Sequence, residues 1–423
     1  MKKIFFIPIL FLLFFNCSAK ATITPNNHQN TNSQKTYALI VGALEWTDKY
    51  LPSFEKKNRK DKELYELLKT TGVEENNIFF LMDGEATLKN IKSKMETLLS
   101  KTENGSHFIF YYAGHGIHEK GKYYFANSDI VTTDLSNTGL DFDIISDLVI
   151  KNFKGDRVTL WADCCYSGGL AGTAETISKK GFKTYALASA TATNTSTGNW
   201  TYSQALIDCL RGEAIMDNNH DGKISMNEMA SQVKDAMKFR ERQLNTFACF
   251  NLDGDKTVIS NVTGKINRSD SEVGSYVFAL HGGKWKVARV TGKTNGQYDC
   301  EFYFYSDKES KTLSKEKVRN PYFVQHKTGS TVKVEWEKKW YNATITKADG
   351  DFYYITYADY DKSYDEWVTY DRIRTGNEKT VQAFWNDAYY PAEILDSKDS
   401  KYYIHYVSDD YTWDEWTDAK NIK

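Results

Sequence analysis

The first half of the chain alternates short apolar runs with amphipathic stretches. YALIVG (37–42), NIFFLMDG (77–84), FIFYYAGHG (108–116), VTLWADCCYSGG (158–169) and TYALASA (184–190) are rich in β-branched and aromatic residues and end in glycine or small polar residues. Runs of this length suit strands buried on both faces of a parallel sheet. Between them, Leu64, Leu67 and Leu68 share one face of a helix predicted around 60–70 and stopped by Gly72. Ile91, Met95 and Leu98 mark a second helix, and Ala205, Leu206 and Leu210 a third within 198–212. The β-α-β-α-β order predicts an α/β domain over 36–265, a mostly parallel sheet with helices on both faces. The stretch AGTAETISKKGFK (171–183) lacks a clear period and reads as a loop, with Lys179 and Lys180 either self-processing sites or two solvated cations.

Both ends follow other patterns. Two lysines precede an apolar run from Ile4 to Phe15, the layout of an export signal and too short for a permanent membrane span. The run ends at Cys17, whose setting resembles a bacterial lipoprotein box, although Asn16 stands where a small residue is usual. Residues 1–17 are therefore expected to be a lipoprotein-type signal with Cys17 lipidated. Residues 18–35 form a polar spacer, and the protein is expected at the cell envelope, or secreted if cleavage follows Ala21 instead. In the last third, hydrophobic positions alternate with polar ones and the pattern repeats. An offset of 49 residues aligns Val332 with Val381, Trp336 with Trp385, Tyr357 with Tyr406 and Asp365-Glu366-Trp367 with Asp414-Glu415-Trp416. A weaker first copy sets Trp285, Ala288 and Val290 in register with Trp340, Ala343 and Ile345. Three small all-β units are predicted, at 274–320, 328–375 and 378–423.

Composition changes little. A formal net charge of −2 gives no reason to expect a nucleic-acid partner. The six cysteines show neither the spacing of a disulfide framework nor that of a zinc site, so Cys209, Cys249 and Cys300 read as small buried hydrophobes.

The candidate chemistry lies at the ends of two strands. His115 stands between glycines after one apolar run, and the Cys164-Cys165 pair closes another. Parallel strands send their loops out from their carboxyl ends, where open α/β sheets carry their sites. A thiol near its usual pKa is mostly protonated at neutral pH, so a nucleophilic cysteine needs an imidazole nearby. GHG fifty positions before a D-C-C-Y-S-G box resembles the caspase-like cysteine peptidases of the metacaspase or orthocaspase branch. The resemblance covers roughly 36–255, with Asp61 and the Ala86-Thr87…Asn90-Ile91 helix start also falling in place. It implies a Cys165/His115 dyad and a caspase-like sheet sandwiched by helices. Gly116 N–H and Cys165 N–H are the natural oxyanion donors. Asp163 stands where animal caspases carry Gln, and Tyr166 where many metacaspases carry His. Two residues from Cys165, the Asp163 carboxylate is expected at the foot of the specificity pocket, favouring Arg or Lys before the scissile bond. Asp129 is either a second carboxylate near the cleft or a turn residue at a strand end.

Residues 217–228, DNNHDGKISMNE, fit a twelve-residue EF-hand calcium loop position by position. Asp217, Asn219, Asp221, the Lys223 carbonyl, Ser225 and Glu228 are the ligands, Gly222 takes the turn, and helices are expected on both sides. Calcium is the expected cofactor, with no organic one. The repeats resemble Tudor, chromo-barrel or agenet modules, which implies an aromatic cage from Trp340, Tyr341, Tyr357 and Tyr360 for an unidentified ligand. Trp336 and Trp367 are expected in the barrel core. The whole reads as an exported, lipid-anchored endopeptidase acting on proteins or peptides. The alternative is a catalytically silent or conditional caspase-fold scaffold that presents the repeats.

Overall fold

In the computed structural model, residues 35–266, 271–304 and 307–423 are described. The expected signal, Cys17 and nearly all of the spacer lie outside these residues. The first domain is built on a six-stranded sheet. Its strands are β1 (Thr36–Gly42), β2 (Ile78–Met82), β3 (His107–Ala113), β7 (Arg157–Asp163), β8 (Lys183–Ala188) and β10 (Thr246–Phe250), in the spatial order β10-β8-β7-β3-β1-β2. The pairs from β2 to β8 are parallel, and β10 closes one edge antiparallel to β8. Between β3 and β7 a small sheet forms from β4 (Gly116–Glu119), β5 (Lys122–Phe125) and β6 (Leu140–Asp141).

Helices α2 (Leu88–Ser100), α4 (Phe142–Asn152) and α5 (Leu170–Ser178) bury Ile91, Met95, Ile145, Leu170 and Ile177 on one face of the sheet. On the other face, α1 (Lys60–Thr70), α6 (Thr201–Leu210) and α7 (Met226–Glu241) bury Leu64, Leu68, Leu206, Met229 and Val233. A four-residue helix, α3 (Leu135–Thr138), precedes β6. The expectation of a loop over 171–183 is corrected by α5. Its inward positions, Leu170, Thr173, Ala174 and Ile177, do recur at helical spacing, but most are small. Lys179 caps its end and pairs with Glu175 at 3.0 Å, so neither lysine sits on an extended loop.

Each of the three repeats is a curved antiparallel sheet. The first two have five strands in the same order, and the third has four, extended by a bridge between Ala383 and Ile422. All three share a bulge at matching positions, between Val290 and Gly292, Ile345 and Lys347, and Ile394 and Asp396. A bulge sharpens strand twist and lets a short sheet curl over its own core. Val332, Val334, Ala343, Ile345 and Tyr353 fill that core in the second repeat.

Candidate active site

Strand register brings the two boxes together. Ala113 pairs with Gly42 on one side and Asp163 on the other, so three strands end at one rim. His115 and Cys165 each follow by two residues. A Cβ on Gly116 would lie 1.9 Å from the Cys165 carbonyl oxygen, so the two catalytic segments touch main chain to main chain. Gly114 has φ +154°, and a Cβ there would strike the Tyr112 hydroxyl at 2.5 Å and the Ala43 carbonyl at 2.6 Å. Both glycines of GHG are thus steric requirements.

The His115 ring lies 4.4 Å from each of the Trp46 and Phe54 rings. Its Nε2 meets the Pro52 carbonyl at 2.8 Å. A carbonyl only accepts, so Nε2 carries the proton and Nδ1 is left as the base. Burial lowers the imidazole pKa, which the Pro52 bond partly offsets. Cys165 is half-buried, and its Sγ accepts the Ser196 N–H at 3.2 Å. Burial raises the thiol pKa, against the pull of the Ser196 bond. Both shifts favour the uncharged forms, thiol and imidazole. Cys164 is buried in the core with its pKa pushed well up, because neighbours at a strand end point to opposite sides. Ala126 N–H donates to the His115 carbonyl, which makes Gly116 and Phe125 a non-hydrogen-bonded pair and turns the Gly116 N–H away from β5.

A narrow cavity of ≈ 40 Å³ opens beside Cys165 between Leu44, Phe54 and the 196–200 segment, with Asp163 in its lining. Asp163 is buried, which pushes its carboxyl up to about 7, while the Ser203 hydroxyl, donating at 2.6 Å, pulls the other way. Asp129 lies elsewhere. Its Oδ1 accepts the Leu88 N–H at the start of α2 and the Asn127 side chain, so it secures a helix start and a turn and does not line the cavity beside Cys165. Pro52 and Ser196 sit in polar segments with no period or motif, and Ser203 is a small polar residue on the predicted α6, so none of the three stands out in the sequence. Their roles arise from the packing.

In the 217–228 loop, Gly222 has φ +85° and Asp217 accepts the His220 and Gly222 N–H groups. Glu228 accepts the Asn218 and Asn219 N–H groups through one oxygen and forms a capping box with Ser225 at the start of α7 through the other. The donor set of the pattern is all oxygen, the chemistry that calcium takes, but among the described residues no three acidic, histidine or cysteine side chains are gathered as a metal site. The flanking helices fall as expected before Arg211 and from Asn227 onwards: α6 ends at Leu210, α7 starts at Met226, and a 3₁₀ turn at Ala214–Met216 leads into the loop. The short strand β9 (Lys223–Ser225) pairs with β11 (Val258–Asn261).

The aromatic residues of the second repeat also sort differently from the expectation. Strand residues alternate sides, so Tyr341, in phase with buried Ala343 and Ile345, faces inward and Trp340 outward. Trp340 is exposed beneath the Arg374 guanidinium at 5.3 Å. Trp336, in phase with Val332 and Val334, reaches the mouth of the barrel and is 46% exposed. The cage is therefore Trp336, Tyr341, Tyr357, Tyr360 and Tyr364, linked by ring contacts of 5.7–6.2 Å. Trp367 packs on Tyr354 at 5.4 Å and is half-buried, not a core residue.

A caspase domain fold with a cysteine and a histidine on one rim defines the class, and sequence comparison agrees. The profile of the caspase domain family, peptidase family C14, matches residues 35–257. The chain belongs to this family. The Tudor-knot profile, described as the RNA binding activity-knot of a chromodomain, matches 326–375 and 376–423; the first repeat shares the sheet order without that match. No curated protein sequence matches the chain significantly. Similar solved structures include protein GSU0716 from Geobacter sulfurreducens, at 12% identity and TM-score 0.39 over 54% of this chain and 100% of that one. The Drosophila initiator caspase Dronc shows 13% identity and TM-score 0.32 over 54% and 81%. Arabidopsis thaliana AGDP1 AGD34 shows 17% identity and TM-score 0.10 over 23% and 80%.

Proposed function

We propose that the protein is a cysteine endopeptidase that cleaves after Arg or Lys. The observation that carries this reading is the in-register ending of β3 and β7, with Asp163 lining the cavity beside the Cys165 thiol. His115 Nδ1 takes the thiol proton while Nε2–H stays on the Pro52 carbonyl, and sulfur attacks the substrate carbonyl carbon. Gly116 N–H and Cys165 N–H stabilise the oxyanion. As the C–N bond breaks, the imidazolium returns its proton to the leaving amine, made a stronger acid by the burial that lowers its pKa. Water then hydrolyses the acyl-enzyme by the reverse use of His115. Ionised Asp163 holds the guanidinium or ammonium of the residue before the scissile bond.

Three further parts complete the reading. Asp217, Asn219, Asp221, the Lys223 carbonyl, Ser225 and Glu228 would hold a calcium ion that clamps the approach to α7. Lipidation of Cys17 would tether the exported enzyme to the cell envelope. The repeats act as binding modules. The test is hydrolysis of fluorogenic peptides ending in Arg, Lys or Asp by the full mature chain, with calcium or chelator, against Cys165→Ala. Cleavage after Arg and Lys that disappears in the variant is expected. Cleavage after Asp alone would overturn the role of Asp163, and no cleavage with an alkylatable Cys165 would overturn the peptidase reading.

A further inference from the structure

The second repeat does not hang free of the catalytic domain. The Asn194 side chain donates to the Trp367 carbonyl at 2.9 Å and accepts the Trp367 N–H at 3.2 Å, in the manner of a strand partner. The same Asn194 accepts the Tyr166 N–H through its own carbonyl at 2.9 Å. A cavity of ≈ 340 Å³ lies at this junction. One wall is the cage, including Trp336, Tyr341 and Tyr360, and the other is Tyr166 with Thr193 and Thr195. Tyr166 follows the nucleophile directly, and Thr195 precedes Ser196, whose N–H binds the Cys165 sulfur. The cavity therefore adjoins the catalytic centre through both segments that hold Cys165.

Two carboxylates line this cavity, Glu366 and Asp365. Glu366 is already neutralised by the Arg372 guanidinium, at 2.7 and 3.0 Å. Asp365 is only 8% exposed, its Oδ2 accepts the Thr356 hydroxyl, and its Oδ1, sealed from solvent at the cavity wall, accepts no hydrogen bond. An unpaired buried carboxylate oxygen is costly unless a donor arrives. The third repeat shows the contrast. Asp414, the counterpart of Asp365, is met by His405 at 2.8 Å and by the Tyr370 hydroxyl at 2.9 Å, so its carboxylate is satisfied within the protein.

We propose that this junction is an exosite of the peptidase that takes a second cationic side chain, lysine or arginine, of the substrate near the scissile bond. The aromatic faces attract the cation, and Asp365 supplies the missing counter-charge. The inference rests on the peptidase reading and makes the second repeat part of substrate selection. The enzyme then reads two basic residues at once, one at Asp163 and one at Asp365.

The test compares two sets of fluorogenic peptides, each with Arg before the scissile bond. One set carries Lys, Arg or trimethyl-lysine at successive flanking positions, and the other carries norleucine there. The expected ratio of kcat/KM, cationic over norleucine, is about tenfold at one position, falling to about one in Trp336→Ala and in Asp365→Asn. Trp336 is exposed, so its removal leaves the fold intact. A second measurement needs no turnover: tryptophan fluorescence of the full Cys165→Ala chain titrated with the same peptides, where cationic peptides bind about tenfold tighter. Cleavage after Arg with equal ratios at every position would overturn the exosite and leave the peptidase intact. Preferential binding without cleavage by the wild-type chain would overturn the peptidase and keep the cage as a cation site. A preference for trimethyl-lysine alone, with Lys and Arg equal to norleucine, would overturn the assignment to unmodified basic residues.

Discussion

At the scale of single residues, the active centre is set by burial. The Cys165 thiol is raised by burial and the His115 imidazole lowered by it, which disfavours a preformed thiolate–imidazolium pair. Alkylation by iodoacetamide, followed by mass spectrometry of the peptide containing both cysteines, is expected to label Cys165 and spare buried Cys164. The rate is expected to climb towards alkaline pH with no plateau near neutrality. A plateau below pH 7 would show a preformed ion pair instead. Asp163 allows a sharper test, because its folded pKa is about 7. Below that pH the carboxyl is neutral and Arg substrates lose their counter-charge, so KM for them falls as pH rises through 7 and stays level in Asp163→Asn. The same group acts on stability with the opposite sign. A folded pKa raised above the unfolded value means that the native state binds the extra proton, so stability is lost as pH rises from about 4 to 7. Asp163→Asn is expected to raise Tm at pH 8 and to change it little at pH 4. Equal shifts at both would show that the Asp163 pKa is not raised in the fold.

At the scale of elements, short constraints fix long-range geometry. Strands β3 and β7 share a register that ends both at one rim, and Gly116 lets the two loops meet because a side chain there would overlap the Cys165 carbonyl. The 217–228 loop couples two functions in one residue. Glu228 is the third residue of α7, reciprocating the Ser225 cap, and also the last calcium ligand in the loop pattern. Glu228→Gln is expected to cost about 1 kcal/mol without metal, through the weakened cap. Calcium is expected to raise the Tm of the wild-type chain and to leave that of Glu228→Gln unchanged. The same calcium-induced rise in both proteins would remove the loop as the metal site. The elements most legible in the sequence were those with a strong period: α1 and α2 show one buried stripe, and the central strands are unbroken apolar runs. Helix α5 was missed because its inward face is mostly Thr, Ala and Ser, which bury by fit against the sheet and leave little hydrophobic signal.

At the scale of the whole molecule, the catalytic domain and the repeats share a buried electrostatic seam. Arg242, at the left-handed end of α7, binds Asp371 at 2.6 Å and Asp351 at 3.4 Å in the second repeat, and its guanidinium lies 4.5 Å from the Tyr411 ring of the third. Burial alone would raise the Asp371 carboxyl, but Arg242 outweighs it and holds the pKa below its ordinary value. Removing one partner of such a pair leaves a stranded charge. Arg242→Met is expected to cost about 3 kcal/mol in urea unfolding, partly recovered in Arg242→Met with Asp371→Leu. A loss under about 0.5 kcal/mol would show that the seam is solvated.

The sequence by itself determined the parallel sheet, the exit of the His115 and Cys165 segments at one rim, the calcium-loop pattern and the repeats, because each rests on local period or fixed spacing. Strand alternation also sets Trp336 in phase with Val332 and Val334 on its strand, and Trp340 out of phase with Ala343 and Ile345 on the next. Only the tertiary structure decided which nitrogen of His115 is free, that Asp129 serves a helix start, and that the cage of the second repeat opens beside Tyr166. Those facts depend on which surfaces come within hydrogen-bond reach. Such contacts join residues as distant as Asn194 and Trp367, and no local pattern encodes them.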